Sequence, residues 1–182
     1  MTAVIGLDLS LQATGVATPD GVHLIRSSGR TGATLRVRRA RLHDLTTRIG
    51  LLVTEYATHS RALVVIEGPS YGSKTGGQHE RAGLFWMTVD ELLSAGHLVA
   101  EVPPATLKKY ATGHGQAKKG AMGDAAARRI PDVDTGGDDN MVDALWLRAM
   151  GCDHLGWPIT PMPQAHRTAL EAVRWPDSAV TA

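Results

Sequence analysis

The acids of this chain stand where acids do little for a fold. Asp8 lies in the second half of the apolar run VIGLDL, and Glu67 ends the run VVIEG. Asp139 and Asp143 sit one helical turn apart in GGDDNMVDALW. Taken alone, Asp8 reads as a turn or cap residue, a phosphate-site residue or a metal ligand. Glu67 is harder to place, because a carboxylate closing an apolar strand costs several kcal/mol of desolvation unless something compensates it. Asp139 and Asp143 share a helix face and repel one another. Ala144, Leu145 and Trp146 follow at once, so Asp143 is expected to point toward the body of the protein.

Gathered together, such acids form a partly buried pocket of like charge. Raised pKa values or a bound divalent cation relieve that pocket. Donors that are all oxygen, with no His or Cys at metal spacing, favour Mg²⁺ or Mn²⁺ over zinc. A pair of such ions can activate water and stabilise the leaving oxygen of a phosphodiester.

The surrounding pattern predicts the elements that hold these residues. AVIGLDL reads as a strand, and TGVATP and GVHLIRS read as two more, joined by a turn at Pro19-Asp20-Gly21. Leu35, Leu42, Leu45, Ile49, Leu52 and Val53 recur at helical spacing between Thr34 and Tyr56. ALVVIEG suits a buried central strand. A Gly- and Ser-rich loop follows, then a helix in AGLFWMTVDELLSAG and a strand in HLVAEVPP, ended by prolines. Helices are expected in PATLKKYATG, in KKGAMGDAAARRI and in DDNMVDALWLRAMG, the last capped by Asp138 or Asp139. This order is that of a mixed α/β sheet flanked by helices. Strands one and four become central neighbours, which brings Asp8 and Glu67 to one edge. Residues 1–151 form the expected domain, and 152–182 a Pro-rich tail with a short helix.

The chain has 182 residues, 43% of them hydrophobic and 20% charged, enough for one domain with a real core. The single cysteine, Cys152, excludes an internal disulfide and fits a reducing compartment. No run is long and apolar enough to span a membrane, and no signal-type segment opens the chain, so a cytoplasmic protein is expected. Net charge is only +1, yet charge is segregated. Arg26, Arg30, Arg36, Arg38, Arg39 and Arg41 cluster in one stretch, and Lys108, Lys109, Lys118 and Lys119 in another. A metal pocket that repels DNA needs such basic surfaces to supply affinity.

GLDLSLQATG, VVIEGPSYG, PATLKKYATGHGQAKKGAM and DDNMVDALWL fall in the order and spacing of the RuvC-like Holliday-junction resolvases. The chain resembles that family from its N-terminus to about Met150. The resemblance implies an RNase H-like mixed five-stranded sheet flanked by helices. It implies Mg²⁺-dependent cleavage of four-way or branched DNA by a homodimer, with Mn²⁺ as a substitute. Asp8, Glu67 and Asp143 are then metal ligands, and Lys108, Lys109, Lys118 and Lys119 contact the junction. Lys108 and Lys119 match the family's functional lysines, and Lys119 is placed with the catalytic set. The family's fourth ligand falls at Asn140 here; Asp139 is taken in its place, with Asn140 and Asp138 as alternatives. Tyr71 is the nearest match to an aromatic that wedges the junction, and Arg38 is a further DNA contact. Phe85, Trp86 and Met87 are expected in the core or at the dimer interface. The variant last motif and the unmatched tail lean toward a phage-type member.

Other readings remain. An acid-containing strand turn followed by Thr-Gly also opens actin-like kinases, but that fold needs two lobes and a longer chain. A junction-binding protein that has lost catalysis is left open by Asn140. An RNA-processing nuclease of the same fold is a third, against which the Lys-rich G-x-G segment favours DNA junctions.

Overall fold

A computed structural model of the chain describes residues 2–57, 61–69, 77–118 and 120–177. The first strand, β1 (Val4–Asp8), is buried at every position, as its apolar sequence requires. It pairs antiparallel with β2 (Ala13–Thr18), which pairs antiparallel with β3 (Gly21–Arg26). On its other side β1 pairs in parallel with β4 (Leu63–Glu67), and β4 pairs in parallel with β5 (Leu98–Val102). The order β3-β2-β1-β4-β5 makes the mixed five-stranded sheet that the sequence predicts.

Side-chain alternation along the strands assigns each helix to a face. Ile5, Leu7, Val64 and Ile66 point to one side, where α1 (Leu35–Tyr56) and α2 (Gln78–Ser94) cover them with Leu45, Ile49, Leu84 and Leu92. Val4, Leu63 and Val65 point to the other, against α3 (Pro104–Thr112), α4 (Ala121–Arg129) and α5 (Asp139–His154). Trp146 of α5 is fully buried there, its indole N–H donating to the Met122 carbonyl at 3.1 Å. Asp8 and Glu67 continue the alternation of Val4 and Val65, so both belong to the α5 side.

Two strand glycines set how close α5 comes. A Cβ on Gly6 would overlap the Ala144 carbonyl oxygen and lie 2.6 Å from the Arg148 amide nitrogen. A Cβ on Gly15 would overlap the Asn140 carbonyl oxygen. On the helix, Gly151 answers them, its open side facing Val4 and Val65. Backbone therefore rests on backbone where side chains would hold the two layers about 10 Å apart.

The segment expected as a tail packs back onto this layer. α5 runs unbroken past residue 151 to His154, and α6 (Gln164–Arg167) continues into a 3₁₀ turn, Thr168–Ala172. Ala169 and Val173 join the core beside α3. Asp153, 2% exposed, accepts hydrogen bonds from the Tyr110 hydroxyl at 3.0 Å and Arg167 Nε at 3.2 Å. The second Asp153 oxygen pairs with Arg167 Nη2 at 2.9 Å as an ion pair without good hydrogen-bond geometry. α2 begins at Gln78, four residues ahead of the expected start at Ala82, because the polar turn Gln78–Arg81 has its own use in an Arg38–Glu80 ion pair to α1. Phe85 is buried, whereas Trp86 is 67% exposed.

Gly15→Ala is expected to cost about 1–3 kcal/mol, because it overpacks a layer that has no side chain to move. Gly123→Ala, in α4 where a Cβ meets nothing within 4 Å, is expected to gain up to about 1 kcal/mol. Urea unfolding of both variants checks the pair; a neutral Gly15→Ala would contradict the close approach.

Candidate active site

The site is built from three strand and helix ends. The parallel register of β1 and β4, Leu7 opposite Ile66, brings the next residues, Asp8 and Glu67, side by side. Their carboxyls share a hydrogen bond. Asp8 is also the cross-strand partner of Gly15, over which the first turn of α5 lies. Asp143, one turn further along, thereby faces both carboxyls, and its charge raises the pKa of each. The loop after Asp8 is closed by reciprocal bonds: Thr14 Oγ1 donates to the Ser10 carbonyl at 2.9 Å and accepts from the Ser10 amide at 3.2 Å. Arg41 of α1 braces the same loop at the Leu11 carbonyl and donates to Ser27 Oγ at 2.8 Å.

The electrostatics follow from burial and like charge. Asp8 is 9% exposed, and its pKa is raised well above the ordinary value, first by desolvation, then by Glu67, Asp143 and Asp138. Glu67 is pushed up to about 7 by desolvation and by Asp143, while the Lys108 ammonium draws it down. Lys108 thus lies near enough to the carboxylates to act on them, and it is half-buried on α3. Without a cation, Asp8 and Glu67 retain protons that ordinary carboxylates lose.

Of the residues singled out from sequence, Asp8, Glu67, Asp143 and Lys108 come together. Lys109 and Lys118 are exposed, on α3 and in the segment after it. Lys119 and Tyr71 lie outside the described residues. Arg38 is engaged in part by Glu80. Asp139 opens α5 and is exposed, and the α5 charge that reaches Asp8 besides Asp143 is Asp138. Asp138 is the N-cap, its Oδ1 accepting from the amides of Asn140 at 3.0 Å and Met141 at 3.3 Å. The i, i+4 spacing singles out Asp139, whereas a capping side chain folds back over the helix end.

Among the described residues no group of three or more His, Cys, Asp and Glu side chains is drawn into a ready-made metal cage. The donor set still suits a hard divalent cation. It is all oxygen and carries several carboxylates whose charges oppose one another.

No protein-family model matches the sequence, and no curated protein matches it. Solved structures do. RuvC of Thermus thermophilus superposes with a TM-score of 0.63 at 15% identity, covering 88% of this chain and all of that one. The same protein in complex with Holliday junction substrate gives a TM-score of 0.59 at 15% identity, over 81% of this chain and 91% of that one. The fold is therefore of the RNase H-like α/β class. Within that class it is a RuvC-like fold, as the four sequence motifs imply. Among the described residues no helix is long and apolar enough to cross a membrane.

Because Glu67 holds its proton to about pH 7 in the fold but only to about 4.5 when unfolded, proton binding stabilises the metal-free fold. That contribution is complete below pH 4.5 and is lost as pH rises through 7. Melting in a chelator is expected to show stability falling between pH 5 and 8, with the fall reduced in Glu67→Gln. An identical fall in the variant would remove Glu67 from the coupled set.

Proposed function

We propose that this protein is a structure-selective endonuclease that cuts four-way or branched DNA, acting as a homodimer with Mg²⁺ or Mn²⁺. The observation that carries the reading is the convergence of Asp8, Glu67 and Asp143 on one sheet edge of a RuvC-like fold. The neighbour seen with a Holliday junction supports the choice of substrate.

Asp8, Glu67 and Asp143 would hold the metal, with Asp138 as the fourth wall in preference to Asp139. When bound, the divalent ion lowers the pKa of water and neutralises charge on the scissile phosphate. The chain's own residues do the rest. Asp8 and Glu67 give up their protons as the cation enters, so metal loading and pH are linked. Lys108 stands beside Glu67 and meets the phosphate that the carboxylates alone would repel. Lys109 and Lys118 extend that positive wall, and Lys119 and Tyr71 are proposed as further junction contacts on their place in the sequence motifs alone. The exposed Trp86 and Leu93, two turns apart on the outer face of α2, suit a twofold interface. Two symmetric sites would then deliver paired incisions.

Asn140 and the open arrangement of the carboxylates favour a second reading, a junction-binding protein without catalysis. One experiment separates them. Labelled four-way junction, fork, plain duplex and RNA–DNA hybrid are incubated with the protein and Mg²⁺ or Mn²⁺. Paired cuts near the junction centre are expected, with a loss of at least about 10²-fold in Asp8→Asn and Asp143→Asn while binding survives. Asp138→Asn is expected to lose more than Asp139→Asn. Junction binding without cleavage in either metal would favour the second reading. Equal cutting of plain duplex would sink junction selectivity.

A further inference from the structure

The lysines of α3 supply positive charge on one face of the sheet only. Another basic patch lies on the opposite face, at the same end as the carboxylates. β3 runs parallel to β1, since both are antiparallel to β2, so Arg26 ends its strand at the Asp8 end. The chain turns there through Arg30 and enters α1. Arg41 ties the start of α1 to the loop that follows Asp8. Arg36, Arg39 and His43, at i, i+3 and i+7, form an exposed stripe alongside the buried face of Leu42, Leu45 and Ile49.

Neighbouring cations are already engaged: Arg38 with Glu80, Arg48 with Asp44, Arg41 with Ser27 and Leu11. Among the described residues Arg36 and Arg39 have no carboxylate partner, and the first turn of α1 contains no acid. A fold gains nothing from like charges stacked along one helix face. They suit a polyanion laid across them. At 1.5 Å per residue the stripe is about 10 Å long, roughly three phosphate steps of one DNA strand.

We infer that Arg36 and Arg39, with Arg30 beside them, form a second DNA-binding wall that takes the backbone of a duplex arm leaving the junction. This inference rests on the nuclease reading of the site. The carboxylate pocket then lies between two basic walls, one on each face of the sheet. The lysine wall lies beside the reacting phosphate. The arginine wall holds the arm without reading its sequence.

The test is the salt dependence of junction binding, measured in chelator so that no strand is cut. The protein, the double variant Arg36→Gln/Arg39→Gln and a charge control, Arg128→Gln/Arg129→Gln on α4, are titrated with a four-way junction whose arms are about two helical turns long. The plot of log affinity against log salt is expected to flatten by about 1.8 in the α1 variant, about 0.9 for each phosphate that is no longer neutralised. The control is expected to keep the parent slope. An unchanged slope in the α1 variant, or equal flattening in the control, overturns the arginine wall. Absence of salt-dependent binding by the parent protein overturns the nuclease reading beneath it.

Discussion

Helix α5 lies on the sheet with its backbone against Gly6 and Gly15, and the chemistry depends on that approach. Gly15 is the cross-strand partner of Asp8, so the same contact that seats the helix sets its first turns beside the acid. Asp143 then faces Asp8 and Glu67, and the Asp138 cap faces Asp8. A larger residue at either strand position would lift the helix and separate the acids. The core beneath, with Trp146 fully buried and Gly151 nested between Val4 and Val65, holds the helix down along its length.

What this packing assembles is unfavourable by itself. Burial and mutual repulsion raise Asp8 and Glu67 together, which stores in the fold a demand for protons or a cation. Lys108 answers only part of it, drawing Glu67 down without cancelling the push from Asp143. On the proposed reading a doubly charged ion would meet that demand. On the same reading, the positive surfaces on both faces of the sheet would hold a polyanion near acids that otherwise turn it away.

Much of this was legible in the sequence because burial leaves a mark on residue type. An acid at the end of VVIEG has no structural excuse, and the parallel pairing of strands one and four followed from element order alone. Other features left no mark. Nothing local to Gly6 and Gly15 reveals that a helix backbone lies on them. Spacing marks Asp139, and a period of four carries no sign of the Asp138 cap or of its effect on Asp8. The Arg38–Glu80 ion pair joins residues 42 apart in sequence and is equally unmarked. In the C-terminal segment sequence leaves the packing partner open, and Ala169, Val173 and the Asp153–Arg167 pair tie it to α3 and α5.

The central claim is that Asp8, Glu67 and Asp143 form one electrostatically coupled pocket under α5. Carboxyl-detected NMR titration of the metal-free protein tests it most directly. Glu67 should titrate near 7, and Asp143→Asn should move it down toward 4.5. A Glu67 that titrates near 4.5 in the parent protein and ignores the loss of Asp143 would contradict the account.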